Sequence, residues 1–78
     1  MTDEKLTIVE IDWVDSCAVC EVWEFKDDYD DTLTQHKTVG YLLKRDKEKI
    51  VVCQSIGPTQ YGQIFRIPIG CVKKVRSL

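Results

Sequence analysis

No apolar run in this 78-residue chain approaches the roughly 20 residues that a membrane-spanning helix needs. The acidic start, Met1 to Lys5, lacks the apolar segment of a secretory leader. Both absences point to a cytoplasmic protein with no membrane partner, and so to four reduced cysteines. The chain has only two prolines, no internal repeat and no low-complexity tract. Histidine occurs once, at His36. A triad hydrolase needs a nucleophile and an orienting acid arranged around its histidine, and no spacing links Ser16 or Ser55 to His36. His36 therefore reads as a surface histidine on a loop, and the chain as no enzyme. A helix needs apolar residues at a period near 3.6, and neither residues 6–15 nor residues 21–26 show it.

What is present reads as strands. Residues 6–15 alternate, with Thr7, Val9, Ile11 and Trp13 on one side and Glu10 and Asp12 on the other. Residues 21–26 alternate again through Trp23 and Phe25. A polar connection, residues 26–37, follows, either a loop or a short, poorly specified helix. Residues 38–45 and 49–56 form the two strongest strands, joined by the charged turn Asp46-Lys47-Glu48 as a hairpin. Gly40 sits inside the first of them, where a missing side chain marks a bend or a close backbone approach. Residues 57–62 make a turn with glycine at each end. Residues 63–67 give a short strand that Pro68 stops. Ile69, Val72 and Val75 then recur every three residues, which suits one 3₁₀ turn running into a last strand. The expected fold is one all-β domain over residues 1–78, a small, strongly bent five-stranded barrel with one long polar loop and a 3₁₀ turn before the last strand.

Charge divides the chain. Residues 1–39 carry a net −8 and residues 40–78 a net +6, although the whole is only −2. Either the two halves attract one another within the fold, or the molecule is bipolar and able to stack on copies of itself. Lys44, Arg45, Lys47 and Lys49 crowd the hairpin tip, and Lys73, Lys74 and Arg76 crowd the C-terminus. These seven are the candidate contacts to RNA or DNA, because clustered cations neutralise phosphates and Tyr41 or Tyr61 could stack on bases. A charged tip equally guards a sheet edge against aggregation, and the acidic pI of about 5.3 argues against a dedicated nucleic-acid domain.

The remaining clusters carry little chemistry. Cys17-Ala-Val-Cys20 is a single Cys-x-x-Cys pair, whereas a zinc site closed by cysteines takes two, and Cys53 and Cys71 stand alone. A redox pair needs its first thiolate at a helix N-terminus, and no helix starts there. Packing is the expected role of the cysteines, with zinc and redox chemistry as alternatives. The stretch Asp27-Asp28-Tyr29-Asp30-Asp31 lacks the glycine and distal glutamate of a calcium loop and reads as a solvated acidic loop. No cofactor or metal is expected.

Gly40-x-Leu42-x-x-x-Asp46 followed by Ile50-Val51-Val52 resembles the first Sm motif, and Ile67-Pro68-Ile69-Gly70-x-Val72-x-x-Val75 loosely resembles the second. More widely, the chain is similar to a group of short proteins encoded by bacteriophages and prophages. The shared features are Trp13-Val14-Asp15, Trp23, the segment from Val39 to Leu43, Gln54-Ser55-Ile56 and Ile67-Pro68. The resemblance implies an SH3-like/Sm-like barrel, a homo-oligomeric ring and, for a phage protein, the host cytoplasm, where a host protein could be a partner. Sm proteins that read uridine-rich RNA use an asparagine after the motif aspartate and an arginine before the second glycine. Here no asparagine exists, and Pro68 and Ile69 precede Gly70. The resemblance thus implies the architecture without that RNA-reading set.

Overall fold

A computed structural model describes residues 5–15, 25–27 and 33–78. Among the described residues seven strands run in the order β1 (Ile8–Asp15), β2 (Thr34–Arg45), β3 (Lys49–Cys53), β4 (Ser55–Ile56), β5 (Tyr61–Gly62), β6 (Phe65–Pro68) and β7 (Val72–Ser77), with a 3₁₀ turn at Ile69–Cys71 between the last two. Five of them form one antiparallel sheet in the order β6-β3-β2-β1-β7, and β4 and β5 pair as a separate ribbon. The all-β reading stands. Among the described residues no helix is long and apolar enough to cross a membrane.

The sequence alternation becomes the two faces of β1. Val9 and Ile11 are buried and meet Ile50, Val52 and Ile67 in the core, with Trp13, Leu42, Cys71, Val72 and Val75 packed around them. Each fully buried side chain of this kind contributes roughly 1.5–3 kcal/mol. Two register shifts, between Asp12 and Trp13 on the β7 side and between Leu42 and Lys44 on the β3 side, insert bulges that bend the sheet around that core. Gly40 lies opposite Val9, and a Cβ there would stand 2.9 Å from the Cys53 carbonyl and 3.0 Å from the Val52 Cβ. Only glycine lets β2 pass so close to β3.

The expected closed barrel is not what the hydrogen bonding shows. Among the described residues β6 pairs with β3 alone and β7 with β1 alone, so the sheet is open. β6 is four residues long and ends on Pro68, which has no N–H, so a closing ladder has little to build on. The β6 edge approaches β1 by packing instead, with the Trp13 and Phe65 ring centroids 5.4 Å apart across the inner face.

Three boundaries differ from expectation. Strand β2 starts at Thr34, so the polar connection ends four residues earlier than its composition suggests, and His36 belongs to a strand rather than a loop. The expected strand 49–56 breaks at Gln54, whose amide donates to the Val39 carbonyl at 2.5 Å while its backbone N–H turns to Gly62. Gln63 adopts a left-handed φ of 55°, so β6 begins at Phe65 instead of residue 63. The expected strand 21–26 falls outside the described residues except for Phe25, which is exposed, and Lys26, which turns with Asp27. Cys17, Cys20, Ser16, Trp23 and residues 28–31 of the acidic stretch also lie outside them.

Candidate functional site

The hairpin between β2 and β3 gathers Lys44, Arg45, Lys47 and Lys49. Asp46 shapes it: its Oδ1 accepts from the Glu48 and Lys49 backbone amides at 2.8 and 2.9 Å, and its own N–H donates to the Lys49 carbonyl at 3.0 Å. Those two amides, Glu48 first, hold the Asp46 carboxyl below the usual carboxylate range. The 3₁₀ turn braces the tip, because the Ile69 N–H donates to the Glu48 carbonyl at 2.9 Å. Asp46 also engages Lys44 at 3.8 Å and Lys49 at 3.5 Å. Arg45 and Lys47 are exposed and make no ion pair among the described residues.

The C-terminal cations lie elsewhere. Lys73 and Lys74 are exposed on β7, and Lys74 stands opposite Asp12. Arg76 is not free to meet phosphate. It faces Glu10 across the β1–β7 ladder, its Nε donates to Glu10 Oε1 at 3.0 Å, and its Nη2 binds Glu10 and both Asp12 oxygens, the latter at 3.0 Å. Lys37 completes the cluster from β2, 2.7 Å from Asp12 and 3.6 Å from Glu10. The Arg76 hydrogen bond holds the Glu10 carboxyl low, that of Lys37 then Arg76 lowers Asp12, and Glu10 then Asp12 raise Arg76 in turn. The sheet thus separates the seven candidate contacts into two groups, ties Arg76 to two acids and leaves Lys44 and Lys49 sharing Asp46. It adds Arg66, which shares a cross-strand row with Val51 and Lys44. Register across a bulge decides that row, and composition does not show it.

A second group was not apparent from sequence. On the inner face Trp13 and His36 are cross-strand partners with ring centroids 4.6 Å apart. The Trp13 Nε1–H donates to Thr38 Oγ1 at 2.9 Å, which fixes the indole, and Phe65 lies against it from β6. His36 Nε2 stands 3.8 Å from Asp15 Oδ2 at the end of β1. The corner stays open to solvent: Phe65 is 40% exposed, and the His36 and Asp15 side chains are 39% and 48% exposed. Beside it an open cavity of about 410 Å³ is lined by residues including Gln35, His36, Lys37 and Lys73. The signal for this corner was Trp13 in a half-buried register position. Finding its partner required placing Thr34 to Lys37 in a strand.

Among the described residues no group of three or more histidine, cysteine or acidic side chains could hold a metal ion. Cys53 is fully buried and Cys71 partly so, both as free thiols. No family model, curated protein or solved structure matches the chain.

Proposed function

We propose that the chain is a non-catalytic assembly module, a strongly bent Sm-like sheet whose free edges pair between copies to close a homo-oligomeric ring. One observation carries this reading: among the described residues the order β6-β3-β2-β1-β7 leaves two strand edges unpaired, joined by a single 3₁₀ turn. An unpaired edge is a template for another chain, and a heterologous contact of edge on edge repeats until it closes. Support for the Sm-like architecture comes from the close passage at Gly40, the turn shaped by Asp46 and the 3₁₀ turn before the last strand. A chain this short also gains from association, since a single small core supplies only a few kcal/mol.

Leu78 N–H bonds the Ile8 carbonyl, so along this antiparallel ladder the amides of Leu78, Arg76 and Lys74 face β1 and those of Ser77 and Val75 face outward. Ser77→Pro removes one outward donor and leaves the β1 ladder intact. Light scattering should find the wild type at an integer multiple of 9.0 kDa and the variant shifted toward monomer with unchanged circular dichroism. A wild type that stays monomeric at high concentration overturns the reading.

Nucleic-acid binding is the second reading, carried by Arg45 and Lys47, which are exposed and without an ion pair among the described residues, on a hairpin tip that a ring would repeat. It requires RNA or DNA affinity that falls steeply with salt. No binding at low salt removes it.

A further inference from the structure

The ion cluster on β1, β2 and β7 neutralises only part of the charge asymmetry. With Glu10, Asp12, Lys37 and Arg76 set aside, residues 1–39 still carry a net −7 and residues 40–78 a net +5. Two exposed features at opposite ends of β2 have complementary chemistry. At its start, the aromatic rings of Trp13, His36 and Phe65 stand beside the Asp15 carboxylate. At its end, Arg45 and Lys47 project from a turn held rigid by Asp46 and the 3₁₀ turn.

We propose that the hairpin tip of one copy docks on the Trp13–His36–Phe65 corner of a second copy, with Arg45 over the rings and against Asp15. A guanidinium is the cation best suited to lie on an aromatic face while meeting a carboxylate. The corner offers a cation the Asp15 carboxylate, which among the described residues meets no cation other than His36 in its protonated form. Of the two lysines that line the adjoining cavity, Lys37 is held by Asp12 and Glu10, and Lys73 lies exposed on β7. The contact must join two molecules. Asp15 pairs with Thr34, and Arg45 lies eleven residues further along β2. Even a right-angled bend at Gly40 leaves about 25 Å between the two ends at 3.4 Å per residue, beyond the reach of one arginine side chain.

This inference rests on the assembly reading and names a contact distinct from edge pairing, one built on charge and aromatic faces instead of backbone hydrogen bonds. The two therefore separate by salt. At about 0.5 M salt the Debye length is near 4 Å, and a charge contact weakens where a strand ladder does not.

The test measures self-association by sedimentation, with tryptophan emission followed in a Trp23→Phe background so that Trp13 alone reports. Arg45→Glu with Lys47→Glu, and separately Asp15→Lys, should each weaken association at least tenfold at low salt, the scale of a partly desolvated cation–π contact. Mixing the two variants restores attraction, because the unaltered tip of one now meets the unaltered corner of the other and the reversed tip no longer faces a like charge. The Trp13 emission shifts in the mixture and in neither variant alone. Oligomers indifferent to salt and to both variants overturn the docking while sparing edge pairing. Oligomers lost in salt and recovered in the mixture support the docking even if Ser77→Pro has no effect. Emission quenched by a mononucleotide and not by the reversed-charge partner assigns the corner to nucleotides and overturns the proposal.

Discussion

Strand β1 holds its neighbours by different means on its two faces. Inward, Val9 and Ile11 vanish into a core with Ile50, Val52 and Ile67. Outward, Glu10 and Asp12 reach Lys37 on one side and Arg76 on the other. The inner face joins β1 to β3 and β6, the outer face joins it to β2 and β7, and their energies differ in kind. Apolar burial scales with area and persists in salt, while half-exposed ion pairs contribute little because water already solvates their charges. The inner face should therefore set whether the sheet exists, and the outer face how β2 and β7 are registered on β1.

The largest effect should come from the inner face. Ile50→Ala removes a fully buried side chain at the centre of the core and should cost about 2–5 kcal/mol, a large share of a small domain's stability. Urea denaturation measures it, and a loss below about 1 kcal/mol would deny the core its role. Next comes the close passage of β2 over β3. Gly40→Ala should cost about 1–3 kcal/mol, because the atoms it meets are a carbonyl and a buried valine that cannot retreat. Gly70 has nothing within 4 Å of a built Cβ, so Gly70→Ala should change stability by no more than about 0.5 kcal/mol. Equal effects at the two glycines would refute the steric account of Gly40.

The same contrast explains what could be read in advance. Period-two alternation marks burial, so residues 6–15 announced their inner face, and the threefold spacing of Ile69, Val72 and Val75 announced the 3₁₀ turn. Thr34-Gln35-His36-Lys37 carries no apolar residue, so the start of β2 left no such mark. It is a strand because Trp13 covers His36 and Asp12 pairs with Lys37, both contacts across 25 residues or nearly so. The basic residues were legible as clusters, but their availability was not. Arg76 is occupied by acids 64 and 66 residues away, which only the β1–β7 register reveals. Sheet closure escaped for a related reason: short β6 and Pro68 are visible in sequence, while the absence of a ladder between two edges is a property of the assembled sheet.

A smaller effect tests the join between the faces. Thr38→Val keeps the shape but leaves the Trp13 Nε1–H without its acceptor, and should cost about 1 kcal/mol. In a Trp23→Phe background the Trp13 emission should change with it. An unchanged spectrum and unchanged stability would mean that ring packing alone orients the indole.

The smallest effect should come from the outer face, and pH separates it from the rest. Glu10, Asp12 and Asp46 are all held below their usual carboxylate range, by Arg76, by Lys37 with Arg76, and by the Glu48 and Lys49 amides respectively. For such a depressed group the stabilisation is complete above its unfolded value and is lost as pH falls through its folded value. Thermal stability should therefore stay level with respect to these groups from neutral pH to about 5, then decline below about pH 4, where unfolded carboxylates take up protons first. Arg76→Gln removes the main hold on Glu10 and one of the holds on Asp12. At neutral pH it should lower the melting temperature by only a few degrees, as befits half-exposed pairs. Its sharper signature is a shallower acid decline than the wild type shows, because two carboxylates now titrate closer to their unfolded values. An acid limb that is the same in both proteins would move the pH dependence from the Glu10–Asp12–Arg76 cluster to Asp46, whose backbone amides the substitution leaves untouched.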